Sequence, residues 1–279
     1  MTDSLDEAKE ALGARLRELR LDAGLSGTEL AHRAGWHQTK VSKIEYGKTR
    51  PTDADIRTWC AHTRSEGQVA DLIATARNIE SAYLEWRRVL GTGVKRRQHA
   101  SLRIESETQF MRVFHPYLIP GLLQTADYAE EVLRRVVEFH RIPDDIEAGV
   151  SKRLQRQQVL YRRDHSFHFL IAEQAIRTTV GSDQIMLGQM DRLLAAMGMP
   201  RVTIGIIPSM SRYQVPLSNF TLFDNQMVMV ENVTAEMTIT QPREIAVYGR
   251  AFDILTSQSV AGDPARSLIR TLIGERTAG

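Results

Sequence analysis

Leu25-Ser26-Gly27-Thr28-Glu29-Leu30-Ala31-His32-Arg33-Ala34-Gly35-Trp36-His37-Gln38-Thr39-Lys40-Val41-Ser42-Lys43-Ile44-Glu45-Tyr46-Gly47 is the stretch on which the reading of the chain turns. Ser26 and Glu29 stand at capping-box spacing, each placed to satisfy an orphan N–H of the other's backbone. They open a short helix carrying Leu30, Ala31 and Ala34. Gly35 follows where a tight turn between helices needs positive φ. A second short helix is expected from about 38 to 46, burying Val41 and Ile44, with Gly47 just past its end.

Working outward, Leu12, Leu16, Leu19 and Ala23 recur at spacings of three and four, the stripe of an amphipathic helix that Gly24 breaks. On the other side, Thr52, Ala54 and Asp55 mark a further helix start whose Ile56, Trp59 and Cys60 face a core. Short helix, glycine turn, short helix is the helix-turn-helix pattern. With Val41 and Ile44 pinned inward, Gln38, Thr39, Lys40, Ser42 and Lys43 lie on the outer face, where such side chains suit base edges or phosphates. Lys48 and Arg50 read as phosphate contacts or as solvated loop charges. Residues 33–50 hold five basic residues against one acid, although the whole chain carries only +2.

This segment resembles the xenobiotic-response-element (XRE) type of helix-turn-helix, the large family that includes phage repressors. The resemblance covers about 12–63. It rests on Leu25-Ser26, Glu29-Leu30-Ala31, Ala34-Gly35, Val41-Ser42, Ile44-Glu45 and Gly47-Lys48. It implies double-stranded DNA as partner and a structural pair between Arg20 and Glu45. Two positions depart from the pattern. Gly27 stands where many relatives have a DNA-touching glutamine. His37 stands where a serine or threonine usually caps the recognition helix, so the cap is weaker or the imidazole supplies it.

The 279 residues suggest about two domains. The 42% hydrophobic and 25% charged content is ordinary for a globular chain. A single cysteine, Cys60, excludes internal disulfides and reads as a small buried hydrophobe. With neither an apolar signal segment nor an apolar run long enough for a membrane span, a cytoplasmic protein is expected.

Val69, Leu72, Ala76, Ile79, Tyr83, Trp86 and Leu90 alternate at spacings of three and four, predicting a helix over 65–90. That seam either pairs two protomers or packs against the C-terminal half. Gly91-Thr92-Gly93 breaks it before the basic run Lys95-Arg96-Arg97, a linker charge run or a set of phosphate contacts. The expected domains are 1–64, helix-turn-helix; 65–98, helical connector and basic linker; and 99–279, regulatory or partner-binding.

The expected fold class is mainly α with an α+β second domain, a lambda-repressor-like bundle leading through a helical connector to a domain with a small sheet. In that half, strands are expected at 110–114, 167–172 and 202–207, with a hairpin of 220–223 and 227–230 around Asp224-Asn225. Helices are expected from 126, over 146–161, 174–179, 182–197, 242–256 and 263–273.

Ile119-Pro120-Gly121-Leu122-Leu123-Gln124-Thr125 with Tyr128-Ala129, Arg153-Leu154, Arg156-Gln157, Glu173, Arg177 and Gln189 resembles the C-terminal domain of unknown function in actinobacterial WhiJ-like regulators. The resemblance implies a transcription regulator, often encoded beside a small BldB-like partner protein. Where relatives carry a glycine-rich stretch, this chain has Arg212-Tyr213-Gln214-Val215-Pro216.

No catalytic constellation stands out, and neither cofactor nor metal is expected. His165 and His168 near Asp164 point to opposite faces of a strand. Glu173 and Arg177 suit an i,i+4 pair, Arg153 and Arg156 an anion site or an ion-paired helix face. Met210, Met227 and Met229 offer core filler or a docking surface. Two functions stay open. One is a homodimeric, sequence-specific DNA-binding regulator on a near-palindromic operator, with a domain that senses a small-molecule effector or docks a partner. The other is an antitoxin-like protein that sequesters a small partner and autoregulates.

Overall fold

The computed structural model describes every residue except Met1, Ala82, 86–89, Thr92, 214–217, Thr234 and Gly279; of 2–8, 77–81, 83–85 and Arg96 only the backbone is described. The fold is mainly α with an α+β second part and divides into two compact units. One takes Met1–Tyr83 and Thr238–Ile245, the other Leu84–Met237 and Ala246–Gly279.

The first unit is a bundle of α1 (Thr2–Asp22), α2 (Gly27–Ala34), α3 (Gln38–Glu45), α4 (Asp53–Thr63) and α5 (Val69–Ser81). Each short helix is fixed by its ends. Glu29 N donates to Ser26 Oγ at 3.1 Å and Ser26 N to Glu29 Oε2 at 2.7 Å. Thr52 and Asp55 repeat the box at α4, and Gly35 and Gly47 take positive φ. Leu16, Leu30, Val41, Ile44, Ile56 and Trp59 form a buried core, with the Trp59 indole N–H held by the Leu16 carbonyl at 3.0 Å.

The helix expected over 65–90 is shorter. It starts at Val69, ends at Ser81, and is followed by the strand β1 (Tyr83–Glu85). Val69, Leu72 and Ala76 enter the core of the first unit, whereas Leu90 packs with Val94, Leu133 and Ile146 in the second. The regular spacing therefore joins residues of two separate cores; Trp86 lies outside the described residues, as do the side chains of Ile79 and Tyr83. The basic run Lys95-Arg96-Arg97 is no linker but the first turn of α6 (Val94–Glu107). Its opening amides are taken by Asp145, from Val94 N at 2.7 Å and Lys95 N at 2.9 Å, a distant cap with no local sequence signal.

The second unit is built on a mixed sheet in the order β1-β7-β6-β5-β2-β3-β4-β8. Its centre is parallel: β2 (Phe110–His115), β3 (Ser166–Ala172) and β4 (Val202–Ile207). Antiparallel β5 (Phe220–Phe223) and β6 (Met227–Glu231) form a hairpin whose Asp224 and Asn225 both take positive φ. The strands β7 (Ala235–Ile239) and β8 (Val260–Ala261) were not legible in the sequence. The helices are α7 (Ala126–His140), α8 (Ile146–Arg156), α9 (Glu173–Arg177), α10 (Asp183–Ala196), α11 (Pro242–Gln258) and α12 (Asp263–Ala278).

The run Pro120–Thr125 is a 3-10 turn (Gly121–Leu123) held by buried side chains. Gln124 Nε2 donates to Ile119 O at 2.7 Å, Gln157 Nε2 to Gln124 O at 2.7 Å, and Gln189 bonds both Leu123 O and Thr125 N. Residues far apart in sequence thus converge on one turn. Met227 and Met229 pack, partly buried, against the core, while Met210 is 92% exposed. Gln214, Val215 and Pro216 lie outside the described residues.

Candidate nucleic-acid interface

The geometry of α3 follows from its two inward residues. Val41 and Ile44 are buried almost completely, which fixes the helix rotation. Gln38 and Ser42 form one i,i+4 row and Thr39 and Lys43 the next, and all four side chains are exposed. The imidazole does supply the cap at His37: its Nδ1 accepts from Thr39 N at 3.3 Å, with the Thr39 hydroxyl 2.5 Å away. At the far end the Lys43 carbonyl accepts from both Lys48 N (2.8 Å) and Thr49 N (3.0 Å). This draws the basic loop back over the helix, with Lys48 and Arg50 exposed beside it.

The acid of this helix points the other way. Glu45 is buried against Arg20, with Nε to Oε1 at 2.5 Å and Nη2 to Oε2 at 2.9 Å, and Arg20 Nη1 caps the Leu25 carbonyl at 2.7 Å. The Glu45 hydrogen bond raises the Arg20 pKa further, so the guanidinium stays charged. Lys40, its side chain 39% exposed, leans toward α4. Its ammonium donates to Asp55 Oδ1 at 2.5 Å and sits 4.5 Å from the Trp36 ring centroid. It ties α3 to α4, a contact without local sequence signal because its partner lies fifteen positions on.

The histidines of the second unit do not converge. His165 is buried, bonded to Asp164 Oδ1 at 2.9 Å and the Ser106 carbonyl at 3.2 Å. His168 packs edge-on against Phe252. No group of three His, Cys, Asp or Glu among the described residues is placed to hold a metal ion. Glu173 and Arg177 meet at 2.6 Å, with the carboxylate also taking Ser209 N. Cys60 is buried in the bundle, and burial pushes its thiol pKa up. No helix among the described residues is long and apolar enough to cross a membrane.

The first unit is thus a helix-turn-helix domain, and residues 11–72 match the family of that description. Residues 98–271, more than half of the chain, match a family described as a domain of unknown function, DUF5753, and the chain belongs to that family. No curated protein matches it. Among solved structures, TrmBL2, an archaeal chromatin protein described as showing a novel mode of DNA binding, is similar at 9% identity with a TM-score of 0.31. The alignment covers 61% of this chain and 51% of that one, so the chain spans about half the length of TrmBL2; a likeness this faint carries no argument.

Proposed function

We propose that the chain is a sequence-specific DNA-binding transcription regulator of the XRE type, acting in the cytoplasm as a homodimer without enzymatic activity. The observation that carries this reading is the outer face of α3. Gln38, Thr39, Ser42 and Lys43 stand exposed on it, while Glu45, the one acid of the helix, is turned inward and neutralised by Arg20. Such a face offers donors and a cation to the major groove and sets no negative charge against phosphate. Lys48 and Arg50 add backbone contacts beside it, and Lys40 contributes through its position in the bundle. The second unit then serves as the sensing or partner-docking domain.

The test is fluorescence anisotropy on a duplex from the gene's own upstream region, across a salt series, with a scrambled duplex alongside. Tight binding that weakens with salt and exceeds the scramble is expected. Equal, weak binding to both would defeat the reading. A second reading, an antitoxin-like protein that sequesters a small BldB-like partner, is favoured by Met210 and Tyr213, exposed by 92% and 78% on the stretch after β4. It predicts a stoichiometric small protein on co-purification.

A further inference from the structure

The second unit holds a partly open cavity of about 320 Å³ for which DNA binding has no use. That volume falls in the range of small-molecule sites, at its lower end. Its floor is one row across the sheet. Phe169 on β3, Val113 on β2, Thr221 on β5 and Met229 on β6 are successive register partners, and all four line the cavity.

Polar side chains from α6 and α8 stand above this floor. Arg156 is matched: it grips Glu105 through Nε at 2.8 Å and through Nη2. Arg97 is matched by Glu236, with Glu231 at 3.5 Å. Arg153 differs. Its Nη1 donates to Gln124 Oε1 at 2.6 Å and its Nε reaches Gln98 Oε1 at 3.4 Å. Both acceptors are neutral amides, and Arg153 forms no ion pair with a carboxylate among the described residues. Burial pulls its guanidinium down to about 9, and the Arg156 and Arg97 cations push the same way, while the Glu231 and Glu105 carboxylates oppose them. A partly buried guanidinium that touches no carboxylate is open to an incoming anion. The guanidinium fork suits a carboxylate in particular.

We propose that this cavity binds a small organic carboxylate with an apolar body. Arg153 takes the carboxylate, and the body lies on the row Phe169–Val113–Thr221–Met229. As effector of the regulator, the ligand rests on the reading of the second unit as a sensing domain; its binding stands apart from that reading.

The experiment is calorimetry on the full chain with octanoate, decanoate, 4-phenylbutyrate and 2-naphthoate, each beside its neutral alcohol analogue. At least one carboxylate is expected to bind saturably and stoichiometrically. Its alcohol, and the Arg153→Gln variant, should bind about tenfold more weakly or worse, since each removes a charge-assisted pair. Thr221→Trp fills the floor from β5 and is expected to abolish binding in a folded protein. Where Arg153→Gln fails to fold, Arg153→Lys replaces it and weakens binding by removing the fork. Failure of every carboxylate to saturate, equal binding of the alcohol, or wild-type binding by both variants would overturn the site. The bound carboxylate is further expected to change operator affinity in the anisotropy assay; no change overturns the effector role alone. Absence of operator binding defeats the DNA-binding reading while the calorimetry still decides the cavity.

Discussion

Gly13 marks a close approach of α1 to α3: a Cβ there would lie 2.5 Å from the carbonyl oxygens of both Ile44 and Glu45. These are backbone atoms, so a methyl group has to push α3 itself. Gly13→Ala is expected to cost ~1–3 kcal/mol as overpacking, read by urea unfolding, and to weaken operator binding beyond what lost stability explains. In the sequence this glycine is only a poor helix former amid good ones. Arg20→Ala should cost ~3–5 kcal/mol, since it leaves the buried Glu45 carboxylate with only the half-exposed Arg17 at 4.0 Å. A variant that melts at the wild-type temperature would show that the pair contributes no stability. Lys43→Ala, by contrast, removes an exposed cation, and is expected to weaken operator binding at unchanged melting temperature, with a shallower salt dependence.

Whether an element was legible depended on where its ends are satisfied. The helices α2 and α4 carry their own capping boxes, and Gly35 and Gly47 supply their own left-handed turns, so a short window of sequence contains the whole signal. His37 as a cap is less conventional; His37→Ala should destabilise by ~0.5–2 kcal/mol, and restoring a hydroxyl with His37→Ser should recover most of it. The helix α6 had no such local mark because Asp145 caps it from fifty residues away. The strand β7 escaped for a related reason: Glu236 is buried, and its counter-charge is Arg97 on α6.

The tie between α3 and α4 makes a pH prediction. Burial pushes the Asp55 carboxyl up, but hydrogen bonds from Lys40 and Thr52 outweigh it and hold the pKa below the ordinary carboxylate value. Stability from this group is therefore complete above the unfolded pKa of ~3.9 and is lost as pH falls through the lower folded value. In acid titrations followed by circular dichroism, Asp55→Asn should flatten that part of the profile and lower stability near neutrality.

At the scale of the molecule, the class was readable because α and β periodicities separate cleanly along the chain. The split of the 69–90 stripe between two cores was not, since spacing alone does not say which partner a residue meets. The homodimer proposed above predicts two recognition helices about one helical turn of DNA apart, ~34 Å. Inserting about half a turn, ~5 base pairs, between operator half-sites should abolish tight binding in the anisotropy assay and leave the scrambled-DNA level.

The first unit is not continuous in the chain. Residues 238–245 return to it after more than 150 intervening positions, with Gln241 donating to the Thr75 hydroxyl. During synthesis its five helices emerge first and then wait for the closing segment. At ordinary translation speeds of ~5–20 residues per second that delay lasts roughly 10–30 s. A nascent chain stalled within the second unit thus carries a bundle that lacks its last piece, and the helix-turn-helix unit is finished only when the second unit is nearly made.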